Sequence, residues 1–158
     1  MLRISKLTDY GTVILADLAA QGDGLTSAAE VAERTGLGLP TVKKLLKTLA
    51  RSGLVEAKRG AQGGYRLAHE PAAITAAQVI DALEGPVSLT ECSVSEKTCE
   101  IEANCTVGGA WQRINVAIRR ALNDISLADL QASNTRAPRF EFAGMPITIE
   151  RTTERKQR

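Results

Sequence analysis

Apolar residues recur along the first fifty positions at helical spacing. Tyr10, Val13, Ile14 and Leu18 fall on one face of a helix expected from about Thr8 to Ala20. Gln21-Gly22-Asp23-Gly24 interrupts it, because glycine and aspartate favour turns. A second helix opens on a capping box, Ser27-Ala28-Ala29-Glu30, in which hydroxyl and carboxylate each satisfy a backbone N–H that a helix start leaves open. Val31 continues its apolar face, and Gly36 closes it after Thr35. Beyond the turn Leu37-Gly38-Leu39, Pro40 suits the first turn of a third helix, where its missing N–H has no partner to lose. Val42, Leu45, Leu46 and Leu49 form the buried stripe of that helix, with Lys43, Lys44, Lys47 and Arg51 largely outside it. Ser52-Gly53 stops it.

The pattern then changes. Leu54 to Arg59 and Tyr65 to Leu67 read as short strands around the tip Gly60-Ala61-Gln62-Gly63-Gly64, a β-hairpin. Thr75-Ala76-Ala77-Gln78 is a second capping box and opens a short helix to about Glu84, which Gly85-Pro86 ends. A long helix is expected from about Gly108 to Asn123, with Trp111, Ile114, Ile118, Ala121, Leu122 and Ile125 along one side. Ser126-Leu127-Ala128-Asp129 can cap one last short turn. From Ser133 the chain is polar, with Pro138 and Pro146 and a charged end. Residues 133–158 therefore read as a disordered tail.

The fold class that follows is mainly α with a small β-hairpin. Helix, helix, turn, helix and hairpin are the parts of a winged helix-turn-helix, whose third helix enters the DNA major groove. A long C-terminal helix follows, and its apolar stripe needs a surface to cover it. The expected organisation is a DNA-binding domain over 1–70, then a short helix, a cysteine loop (86–107) and a dimerisation helix over 71–132, then the tail.

Charge sharpens this reading. The net charge of +2 conceals a segregation. Between Thr41 and Arg66 there are seven bases and one acid, Glu56; between Pro71 and Cys105 there are six acids and one base, Lys97. A basic block in a nearly neutral chain suits a polyanion, and here double-stranded DNA. Lys43, Lys44 and Lys47 on the third helix, with Lys58, Arg59 and Arg66 flanking the hairpin, are candidates for phosphate contacts. Each single lysine also reads as a solvated surface residue. Thr41 is the early polar position best suited to touch bases. Gly63 and Gly64 allow close approach to a groove, or simply satisfy a tight turn. With 44% hydrophobic residues but 3% aromatic, the core must be aliphatic. No segment approaches the roughly 20 apolar residues that span a bilayer, and the first residues lack a secretory pattern. A cytoplasmic location without membrane association is expected. One histidine and no Gly-rich nucleotide motif leave little for an enzyme to use.

All three cysteines, Cys92, Cys99 and Cys105, lie within fourteen residues. An odd number in such a chain argues against a disulfide framework. Thiolates bind soft or borderline metals, and these wide spacings fit an iron–sulfur cluster better than the tight pairs of structural zinc. Zinc and direct thiol chemistry stay open. A fourth ligand could come from Asp9, Glu102, solvent or a small thiol; His69, at the end of the hairpin, reads as a surface residue.

With these parts in place, residues 1–132 resemble the bacterial iron–sulfur winged-helix regulators that include IscR and NsrR. The resemblance rests on Leu2-Arg3-Ile4-Ser5-Lys6-Leu7-Thr8-Asp9-Tyr10, on the wing Arg59-Gly60-Ala61-Gln62-Gly63-Gly64-Tyr65-Arg66-Leu67, and on the three cysteines. It implies a homodimer joined through Trp111, Ile114, Ile118, Leu122 and Ile125, with a cluster near that interface in each subunit. IscR-like members carry a histidine three residues after the last cysteine, where this chain has Gly108. Asp9 matches an acidic position that supplies the fourth ligand across the dimer in NsrR-like members. Both [2Fe-2S] and [4Fe-4S] clusters occur in the family, and the first is favoured here. The opening residues look most like regulators of the SUF iron–sulfur assembly system, which implies a repressor that reports cluster supply. A repressor responding to nitric oxide or redox state is the rival within the family.

Overall fold

The computed structural model describes residues 4–60, 62–88, 107–132, 140–142 and 145–147. The helices are α1 (Lys6–Ala20), α2 (Ala28–Thr35), α3 (Leu39–Arg51), α4 (Ala76–Glu84), α5 (Gly108–Asn123) and α6 (Leu127–Ala132). Strands β1 (Val55–Lys58) and β2 (Gly64–Leu67) follow α3, a 3₁₀ turn spans Pro71–Ala73, and β3 (Phe140–Phe142) and β4 (Met145–Ile147) come last. Cys92, Cys99 and Cys105 lie outside the described residues.

The leucine stripe of α3 organises the core. Val42, Leu45, Leu46 and Leu49 are buried, and they share one cluster with Ile14, Leu15 and Leu18 of α1 and Val31 of α2. On α1 the buried face is Thr8, Gly11, Ile14, Leu15 and Leu18. Val13, expected on that face, is 45% exposed. A bidentate pair joins α2 to α1, with Arg34 Nε and Nη2 each 2.8 Å from an Asp17 carboxylate oxygen.

Helix starts show how local chemistry sets the boundaries. The boxes at Ser27–Glu30 and Thr75–Gln78 form as the sequence predicts. Ser126 and Asp129 make the equivalent reciprocal bonds before α6. The first helix begins at Lys6, earlier than expected, because its box is completed from another helix. The Ser5 hydroxyl accepts from Thr8 N–H at 3.4 Å, while Glu84 of α4 accepts from Ser5 N–H at 2.9 Å and from the Thr8 hydroxyl. A residue at the end of α4 thus does for α1 what the glutamate of a capping box does within one turn.

The hairpin pairs Val55 with Leu67 and Lys58 with Gly64, antiparallel. Thr26 and Tyr65 exchange both backbone hydrogen bonds, at 2.9 and 2.8 Å, and fix the wing to the segment before α2. The core continues past residue 70: Ile74, Val79 and Leu127 are buried in the same cluster. Leu127 N–H donates to Ile74 carbonyl and Ala76 N–H to Ile125 carbonyl, both at 2.8 Å. The Gln131 amide reaches the Ala16 carbonyl at 3.1 Å. The chain beyond α5 is therefore tied back to the winged helix. Within the segment read as a tail, six residues are in strands, with Phe140 opposite Ile147 and Phe142 opposite Met145. The Phe-Glu-Phe alternation has strand propensity that a reading of overall polarity passes over.

Two outcomes follow. Leu127→Ala removes a fully buried side chain and is expected to cost about 2–5 kcal/mol, read as a lower urea midpoint, while Leu130→Ala, on an exposed position of the same helix, moves it little. Hydrogen bonds from the Thr8 hydroxyl and the Ser5 N–H hold the Glu84 carboxyl below its ordinary pKa. A depressed carboxylate stabilises the fold above its unfolded pKa, and that contribution is lost as pH falls through the folded value. Unfolding midpoints of wild type and Glu84→Gln should therefore differ at neutral pH and converge in acid; a constant gap would refute the assignment.

Candidate nucleic-acid interface and the flanks of the cysteine segment

The face of α3 opposite its leucines carries the expected cations. Lys43, Lys44 and Lys47 are exposed, and Thr41 is half-buried in the first turn. Gly38 caps this helix without a side-chain hydrogen bond, which leaves first-turn N–H groups to meet an anion. Lys58 and Arg59 are exposed at the wing. None of these five cations is in an ion pair among the described residues. Arg66 differs: its guanidinium lies 2.8 Å from Glu56, directly across the hairpin.

The two wing glycines have reasons internal to the fold. A Cβ on Gly63 would lie 2.2 Å from the Lys58 carbonyl oxygen, and one on Gly64 would lie 2.8 Å from that of Thr26. Neither position accepts a side chain without moving backbone. Gly64 is also buried, so its small size serves the Thr26–Tyr65 junction.

The helices that precede and follow the cysteine segment are joined to each other. Asp9 is exposed in the first turn of α1, one residue after Thr8, whose hydroxyl donates to Glu84 of α4. Asp81 of α4 accepts from Arg119 of α5 at 3.2 and 2.5 Å. The segment thus leaves one helix and enters another that are joined to each other, and the first is joined to α1. Glu84, Asp81 and Arg119 were not singled out from sequence. Their partners lie 38 to 79 positions away, and no local pattern signals them. His69 is exposed, and no group of three or more His, Cys, Asp or Glu among the described residues could hold a metal ion.

No residue of α5 is buried. Trp111, Ile114 and Ile125 are each 43% exposed, while Ile118 and Leu122 are half-buried. The spacing of Trp111, Ile114, Ile118, Ala121 and Ile125 alternates three and four, the signature of a helix-on-helix seam. Ile118 and Leu122 also line an apolar groove of about 440 Å³ with Ile4, Ile80 and Val87. No helix among the described residues is long and apolar enough to cross a membrane.

A recognition helix and a wing with accessible cations, on a leucine-packed helix-turn-helix, define a winged-helix DNA-binding transcription regulator. Residues 4–133 match the Rrf2 family, described as iron-dependent transcriptional regulators, and the chain belongs to that family. It is 37% identical over 130 residues to the regulator CymR of Bacillus subtilis, covering 82% of this chain and 89% of that protein. It is 32% identical over 130 residues to IscR of Yersinia enterocolitica, covering 82% and 79%. Among solved structures, the global cysteine regulator CymR of B. subtilis superposes with a TM-score of 0.64, covering 84% of this chain and 98% of that one at 37% identity. T. potens IscR superposes with a TM-score of 0.62, covering 88% and 94% at 32% identity. These relatives are transcription regulators, and the chain is a regulator rather than an enzyme.

If Lys43 and Arg59 contact phosphates, Lys43→Ala and Arg59→Ala weaken binding to duplex DNA. Each lost contact should flatten the plot of log affinity against log salt by about 0.9. Unchanged binding at physiological salt would remove the residue from the interface.

Proposed function

We propose that this regulator senses iron–sulfur status and represses genes of a SUF-type assembly system in the cytoplasm. The observation that carries the reading is the set of three cysteines, within fourteen residues, in a chain of an iron-dependent regulator family. Three thiolates suit a cluster and leave one position for a weaker ligand. Cys92, Cys99 and Cys105 would hold it, with Asp9 of the partner subunit as fourth ligand and a [2Fe-2S] form favoured over [4Fe-4S]. When bound, such a group would supply redox and nitric-oxide-reactive chemistry that iron shortage also removes.

The rest of the mechanism belongs to the chain. Two copies would cross their α5 helices through Trp111, Ile114, Ile118, Leu122 and Ile125, burying the stripe left exposed in one chain. Thr41, Lys43, Lys44, Lys47, Lys58 and Arg59 would meet the operator, with Gly63 and Gly64 shaping the wing. Asp81 and Arg119 hold α4 to α5, and Glu84 holds α4 to α1. A change in the cysteine segment would thus reach the dimer helix and the DNA-binding helices together. Such a change regulates only if the two states differ in DNA affinity. On this division of labour, 1–70 reads DNA, 71–132 senses and dimerises, and 133–158 is an appendage.

A second reading has the cysteines acting directly as thiol sensors. Its support is the clustering of three cysteines open to direct thiol chemistry, beside 37% identity to the B. subtilis regulator named the global cysteine regulator. Purification without oxygen, with a visible spectrum and assays of iron and sulfide, separates the two. The cluster reading expects coloured protein with matched iron and sulfide, both lost in Cys99→Ala. Colourless protein that cannot be reconstituted yet still binds DNA would overturn it in favour of thiol sensing or zinc.

A further inference from the structure

The stretch from Thr41 to Arg66 contains one acid, Glu56. The strand register places it directly opposite Arg66, two residues back from the Lys58–Gly64 pair nearest the wing tip. Arg66 Nε and Nη2 both sit 2.8 Å from the same Glu56 oxygen, Oε2. The side chains are 44% and 52% exposed, so the pair faces solvent. Side chains alternate along a strand, so Lys58 shares the face of Glu56. The other cations of this stretch, Lys43, Lys44, Lys47, Arg51, Lys58 and Arg59, make no ion pair among the described residues.

An exposed pair of this kind adds little to stability. The hairpin already has its ladder and the Thr26–Tyr65 exchange. The larger effect is on charge. A guanidinium is suited to bind phosphate through two N–H groups at once, and here Nε and one terminal nitrogen are both held by a carboxylate. Asp23 and Glu70 line the same surface hollow, so a phosphate nearing Arg66 meets further negative charge.

We infer that Glu56 withholds Arg66 from the phosphate backbone and thereby limits the sequence-independent part of the regulator's DNA affinity. The inference rests on the wing meeting DNA. Phosphate contacts supply almost all non-specific binding, so one fewer cation on the wing shortens the time spent on irrelevant sequence. Glu56 is then a residue that sets specificity without reading a base.

The test is a salt series of fluorescence anisotropy with the full chain on a mixed-sequence duplex. Glu56→Gln should bind about fivefold tighter at low salt and steepen the salt slope by about 0.9, one added phosphate contact. Glu56→Gln with Arg66→Gln should return the slope to the wild-type value. A wild-type slope in Glu56→Gln overturns the inference. A steeper slope that survives in the double variant also overturns it, because Arg66 is then not the cation released. Lys43→Ala is the reference: if it weakens binding while Glu56→Gln changes nothing, this inference alone fails, and if Lys43→Ala has no effect the DNA-interface assignment fails as well. Matching thermal unfolding of the variants shows that the fold is retained.

Discussion

Leu127 enters the core from beyond α5. Its side chain is fully buried with the leucines of α1 and α3, and its N–H is held by the Ile74 carbonyl. Around it, Ala76 bonds to Ile125 and Gln131 to Ala16. These contacts fix where α5 ends relative to the helix-turn-helix. At its other end α5 follows the cysteine segment, and along its length Arg119 holds it to Asp81. The helix is thus anchored both along its length and at its C-terminal end, while its apolar stripe stays exposed.

Much of this architecture is legible in the sequence because it is local. Ser27–Glu30 and Thr75–Gln78 announce helix starts through bonds closed within one turn. The leucines of α3 mark a buried face by spacing alone, and α5 begins and ends where its periodicity does. What was hidden depends on distance along the chain. The first helix begins before Thr8 because Glu84 completes the cap at Ser5 from 79 positions away. Leu127 reads as a filler inside a capping box, and only the tertiary structure shows that it closes the core. Val13 fits the apolar face on a helical wheel, yet the helix is rotated so that Thr8 and Gly11 face inward instead. Gly63 and Gly64 were legible as necessary glycines, while the reason, backbone packed against backbone, was not.

The candidate site divides in the same way. The cations of α3 and the wing were readable from charge and spacing, and they are exposed as that reading requires. Arg66 looked equivalent to them, and strand register, which composition cannot show, sets it apart. The cysteines stand out by clustering in the sequence. What the structure adds is the frame around them: Glu84 joins α4 to α1, and Asp81 joins α4 to Arg119 of α5, the helices that precede and follow the cysteine segment. The chain belongs to a family described as iron-dependent transcriptional regulators, and both CymR and IscR are among its relatives.

The extension of the core past residue 70 bears on how the protein is made. Ile74, Val79 and Leu127 belong to the same apolar cluster as the recognition helix. A nascent chain leaving the ribosome cannot complete that cluster when the wing emerges. It must wait until the cysteine segment and α5 have also been synthesised. The surface formed by α3 and the wing therefore matures only once the cysteine segment exists, and a cut after the wing would leave leucines of α1 and α3 without their cover. Synthesis itself would then favour the appearance of the winged helix and the helices after it as a single unit.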